Sequence, residues 1–291
     1  WKLAADIEYQ YYTKIENESK ADPDNNELKK KYIDASAELL SYCIKYDSLL
    51  VLDAEMKPED KEKEHKIYQP KGVNSAIQLL QAAQNYSNSE NQEELKQGAK
   101  YAEIFINAME NSNLMKDFKH AELEGWKTYS KAFRAQSYLN IEGTPEETIV
   151  NAYKALFNTN FKGIAYQSLM NYYREKDKAK QNLYLQEGID ALKGDAEQKD
   201  LRANFVTILM QNQFQAGDKE GFMKTAEIMK TEFADDENAV NAYLMEGQFA
   251  FEAKDYETAK KAFLAGSEKY PDDEKCLLMA ARSAWMKAQT T

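Results

Sequence analysis

The sequence predicts an all-α protein, about six pairs of helices in a row closed by a C-terminal capping helix. Three observations carry this. Apolar residues recur at three-to-four spacing, and no stretch alternates with the period of a strand. Five prolines and eleven glycines are few for 291 residues, which suits long helices. One pair, over 238–272, has the spacing of two helices in close contact: Gly247 stands twelve before Ala259, Phe263 four after that, and Pro271 eight further on. The small residues let backbones approach, Phe263 fills the space beside them, and Pro271 stops the second helix.

The elements follow in order. Residues 1–20 are a first helix on the spacing of Trp1, Ile7, Tyr11 and Ile15. A turn over 21–25 follows, and Asp24 with Glu27 opens the second helix, 26–55, whose apolar side holds Tyr32, Ala35, Leu39, Tyr42, Cys43, Tyr46 and Leu50. Its length makes 1–55 an atypical opening pair. Residues 56–72, bracketed by Pro58 and Pro70, read as a charged, solvated loop or a short exposed helix. A third helix over 73–86 carries Ile77, Leu80, Ala83 and Tyr86. Ser89 with Gln92 caps a fourth over 90–110, with Leu95, Ala99, Ala102, Ile106 and Met109 inward. The fifth, 117–140, contains Trp126, Tyr129, Ser130 and Phe133. Thr144 as cap, Pro145 as first helical residue and Glu147 start the sixth, with Ile149, Tyr153 and Leu156 inward. Helices over 161–174 and 177–192 form the next pair, ended by Gly194-Asp195. Helices over 197–215 and 219–233 follow, joined at Gly217-Asp218, and 274–288 is the cap.

Composition excludes some functions. With 49 acidic and 38 basic residues the net charge is −11, against general binding of nucleic-acid phosphates. No run approaches the roughly 18 apolar residues of a membrane span. Nineteen tyrosines fit core-edge positions, ring buried and hydroxyl wet. Cys43 and Cys276 stand at opposite ends of the chain and read as small buried hydrophobes, unbridged. An opening at Trp1 without methionine reads as a processed or trimmed chain.

The 238–272 spacing resembles the tetratricopeptide repeat. Trp126-x2-Tyr129-Ser130-x2-Phe133 matches the first half of that pattern, and Leu185 with Gly188 resembles part of its second helix. Ala250 stands where the family favours tyrosine and Glu246 where it favours leucine. The resemblance implies a right-handed α-α superhelix acting as a protein-interaction scaffold. An extended peptide or partner protein would lie in the concave groove lined by the first helix of each pair. The groove positions it implies are Lys127, Lys131 and Arg134; Tyr166, Met170 and Tyr173; Asn204, Thr207 and Gln211; and Asn241, Leu244, Gln248 and Phe251. The three cations form a basic stripe on an acidic protein, suited to a partner carboxylate. A compositional resemblance to tetratricopeptide proteins of Bacteroidetes implies export to the cell envelope in preference to the cytoplasm. It also implies an alternative role, glycan binding on the rings of Tyr166, Tyr173 and Trp126. Self-association through the first two helices is a further expectation.

Catalytic constellations are missing from the sequence. His65 and His120 are the two histidines, and no His-x3-His or Cys-x2-Cys spacing exists for zinc. Glycine-rich nucleotide cradles and the Gly-x-Ser-x-Gly elbow are absent. Glu122 and Glu124, two apart on a helix, do not share a face. The expectation is a non-enzyme without metal or cofactor.

Overall fold

The computed structural model describes residues 1–290. Thirteen α-helices and no strand occur among them. They fall into two compact units, residues 1–161 and those from 162 onward. In each unit every helix lies against the helices next to it in sequence, an arrangement compatible with a helical repeat. None of these helices is long and apolar enough to cross a membrane.

The first unit holds α1 (Lys2–Ala21), α2 (Asn26–Leu52), α3 (Pro58–Tyr86), α4 (Gln92–Asn111), α5 (Leu123–Asn140) and α6 (Glu146–Lys154), with a 3-10 turn at Asn113–Met115. Its core runs from Ala5 and Tyr12 through Leu39, Leu40, Leu79 and Phe105 to Leu114. The caps differ from the expected ones by a residue or two. Asn25, not Asp24, accepts from the N–H groups of Glu27 and Leu28. Asn91 caps α4, accepting from Glu93 and Glu94, while Ser89 instead donates to Glu94 Oε2 at 2.5 Å. Thr144 caps nothing: helix α6 starts after Pro145 with no side-chain cap, and the Thr144 hydroxyl donates to the Ile141 carbonyl at 2.9 Å. Helix α5 starts at Leu123, six residues later than its periodicity suggests, after a turn region.

Residues 56–72 are neither loop nor a short exposed helix but mostly the start of a long one: α3 begins at Pro58 and passes through Pro70. Pro58 sits in the first turn, where a missing N–H is harmless, and Glu59 and Asp60 favour that end of the helix dipole. Tertiary contacts then override the charged appearance. Tyr68 donates to Asp6 Oδ1 at 2.5 Å, and Tyr46 donates to Glu64 at 3.0 Å. His65 Nδ1 lies 2.6 Å from Asp47 Oδ1. Gln69 donates to the Leu114 carbonyl at 2.8 Å. Buried polar groups with partners are tolerated where unpaired ones are not.

The second unit holds α7 (Lys162–Tyr173), α8 (Lys178–Ala191), α9 (Lys199–Gln215), α10 (Lys219–Glu232), α11 (Ala239–Glu252), α12 (Tyr256–Lys269) and α13 (Glu274–Thr290). Asp177, Asp218 and Asp255 cap α8, α10 and α12 through their carboxylates. Two of its turns are built alike. Gly217 (φ 70°) before Asp218 and Lys254 (φ 60°) before Asp255 both take the left-handed conformation. In each, the Asp N–H reaches back at 2.9 Å, to Gln213 and to Ala250. The expected close contact is present: a Cβ on Gly247 would run into the Phe263 ring. The departures at 246 and 250 have local reasons. Glu246 pairs with Lys230 of α10, and Ala250 packs with Phe263 and Ala280 in a small core.

Candidate binding clefts

Helix α5 divides its exposed side between two uses. Lys127, Lys131 and Arg134 are partly buried and each meets a carboxylate. Lys127 pairs with Glu124 at 2.9 Å, Lys131 with Glu110 of α4 at 2.7 Å, and Arg134 with Glu103 of α4. Lys131 and Arg134 therefore face α4, and the charge of the stripe is already balanced. One residue round the helix, Trp126, Tyr129 and Phe133 line a trough of about 530 Å³ against Ile77, Leu80, Gln81 and Gln84 of α3. Phe161 closes one side, edge-on to Tyr129 with centroids 5.3 Å apart. His120 stacks on Trp126 at 4.4 Å, and Glu122 stands on the rim. The side-chain amides of Gln81 and Gln84 and the Glu122 carboxylate make no protein hydrogen bond among the described residues.

In the second unit the implied residues separate. Tyr166, Met170 and Tyr173 are buried, at 7%, 1% and 2% exposure, so they belong to the core between α7 and its neighbours. Tyr173 stacks on Tyr184 of α8, centroids 5.6 Å apart. Burial raises the Tyr166 hydroxyl above its ordinary pKa, which fits a ring held inside. Asn204 is exposed and Gln211 partly so, while Thr207 is buried and donates to the Ala203 carbonyl. Asn241, Leu244 and Gln248 do converge. With Phe214 of α9 and Lys275 and Leu278 of α13 they line a cleft of about 390 Å³. Leu278 is 68% exposed there, and Gln248 donates to Glu252 at 2.8 Å. Phe214 is fixed by Phe249, ring centroids 4.8 Å apart.

A larger cleft, about 640 Å³, lies on α2 and α4, with Leu40, Ile44, Ile104 and Ala108 on its floor and Lys45 and Lys100 on its rim. The groove pattern did not point there, because it selects the first helix of each pair. The periodicity of α4 and α2 contained the signal only as apolar residues beyond those needed for one buried stripe.

The second unit also buries an arginine that sequence reasoning missed. Arg202 of α9 donates from Nε to the Ile189 carbonyl at 2.8 Å and from a terminal nitrogen to Glu232 at 2.6 Å. Its guanidinium lies 5.2 Å from the Phe233 ring centre. This pairing holds the Glu232 carboxyl below its ordinary pKa, the hydrogen bond from Arg202 being the main cause. Among the described residues, no cluster of His, Cys, Asp or Glu side chains is arranged to hold a metal ion. No protein family's model matches the chain, and no curated protein matches it.

Proposed function

We propose that this chain is a non-catalytic scaffold of the tetratricopeptide type, holding an extended segment of a partner protein against its odd-numbered helices. The observation that carries the reading is the second-unit cleft, where Asn241, Leu244 and Gln248, selected by the repeat pattern, meet Phe214 and Leu278. Apolar side chains supply contact area. The Asn241 amide offers a donor and an acceptor that a peptide backbone can use. The trough between α3 and α5 is a second site of the same kind in the first unit.

Peptides selected from a random displayed library against the full chain test this. They are expected to lose roughly tenfold or more in affinity for Leu244→Glu, in line with loss of one buried anchor. They should also shift the side-chain amide resonances of Asn241 and Gln248. Peptides that bind Leu244→Glu as tightly as wild type, and leave those amides unmoved, would overturn the reading.

A second reading, glycan binding, is favoured by one observation: the Tyr129 ring is 45% exposed beside Trp126. The burial of Tyr166 and Tyr173 weighs against it, since a ring must be open to stack on a sugar.

A further inference from the structure

We propose that the α3–α5 trough takes a cationic side chain, an arginine guanidinium or a lysine ammonium, presented by a partner peptide. The inference rests on the scaffold reading and names the chemistry of the partner.

Aromatic faces carry a negative quadrupole and attract cations. Elsewhere in this protein several such faces are filled from within. Lys71 lies 4.2 Å from the centre of Tyr9 and 4.4 Å from that of Tyr68. Lys176 lies 3.6 Å over Tyr172, Lys230 4.5 Å over Tyr243, and Arg282 5.1 Å over Phe251. The trough gathers four rings, Trp126, Tyr129, Phe133 and Phe161, and no basic residue lines it. The cations nearest on α5 are engaged with Glu124, Glu110 and Glu103. An exposed carboxylate, Glu122, stands at the rim with no ion-pair partner among the described residues.

One face of Trp126 is already covered by His120, but the other rings, without a cation and beside a carboxylate without one, are the complement of a positive group. A planar guanidinium satisfies both at once, stacking on a ring while its N–H groups reach the carboxylate. Gln81 and Gln84 remain open to the peptide backbone. The net charge of −11 adds long-range attraction for a basic segment. A sugar or a proline also covers an aromatic face, but gains less from a carboxylate beside it.

The test uses the full chain with 5-fluorotryptophan, the Trp126 resonance being assigned through Trp126→Phe. The probes are Ac-Gly-Arg-Gly-Arg-Gly-amide, its citrulline counterpart, a proline pentapeptide and maltotriose. The arginine peptide is expected to move the Trp126 resonance and leave those of Trp1 and Trp285 in place. Citrulline should bind roughly tenfold more weakly. Glu122→Gln, an exposed change that spares the core, should reduce the preference for arginine severalfold. Equal binding of citrulline and arginine would overturn the proposal. So would movement of Trp126 by maltotriose or the proline peptide alone, or by none of the four probes. Library peptides that act at Asn241 and Gln248 judge the scaffold reading separately. If those bind while Trp126 ignores arginine, the cation inference fails and the scaffold reading stands.

Discussion

Replacing Arg202 by alanine should destabilise the protein by about 3 kcal/mol. The side chain is 7% exposed and ties α9 to the end of α8 and to the end of α10. Hydrogen bonds to charged groups contribute roughly 1.5–3 kcal/mol each. The bond to Glu232 is discounted, since that carboxylate is 35% exposed and regains water. The bond to the Ile189 carbonyl is buried. Losing it leaves an acceptor unpaired, at roughly 1–3 kcal/mol. Contact with the Phe233 ring and the packing of the aliphatic stem account for the remainder. Arg202→Lys keeps a charge but offers no fork, so it should lose about 1–2 kcal/mol. Urea unfolding of the full chain followed by circular dichroism reads both values. The pH dependence gives an independent check. A carboxyl whose folded pKa is depressed adds stability that is complete above its unfolded pKa and disappears as the pH falls through the folded value. Glu232 is such a group in the wild type, so the gap between wild type and Arg202→Ala should narrow in acid. A variant within about 0.5 kcal/mol of wild type at neutral pH, or a gap that widens in acid, would refute the reasoning.

Other expectations follow from particular contacts. Lys254→Gly should raise stability by about 1 kcal/mol, because a left-handed residue with a Cβ is strained and the equivalent turn already uses Gly217; a lowered melting temperature would contradict it. Burial pushes the Cys43 thiol up to about 12 and the Cys276 thiol up to about 11. Iodoacetamide at mildly alkaline pH should therefore label neither in the folded chain and both in denaturant, as mass spectrometry can show. Lys131→Glu with Arg134→Glu sets carboxylates against Glu110 and Glu103. It should lower stability by about 1–3 kcal/mol at low salt and less at high salt, measured by thermal melting.

Much of the scaffold was legible because helix periodicity and turn chemistry are local. Gly194 and Gly217 adopt the positive φ their positions suggest, and the Gly247–Phe263 contact could be read from spacing alone. Residues 58–72 were not legible, because what makes them helical is distant. Glu64, His65, Tyr68 and Gln69 look solvated in sequence, yet their partners are on α1, α2 and the turn after α4. Side-chain orientation on α5 and α7 was legible only to within one residue. Successive helical positions lie about 100° apart, so an error of one or two positions exchanges the paired stripe Lys127–Lys131–Arg134 for the ring-lined face Trp126–Tyr129–Phe133. The same sensitivity leaves Tyr166 and Tyr173 in the core. Arg202 gave no local signal, for an arginine in a helix reads as a surface residue until its three partners are in view.

The sequential packing within each unit has a consequence for synthesis. A helix whose main neighbours directly precede and follow it in the chain can dock soon after leaving the ribosome, without waiting for a distant segment. Helix α2 meets α1 before α3 exists, and the lock from Tyr68 back to Asp6 closes once α3 has emerged. Tyr101 later adds a bond to Asp34 on α2. Closure of short loops is entropically cheap and fast. The first unit can thus be consolidated while the second is still being translated, which limits how long its apolar helix faces stand open to other nascent chains.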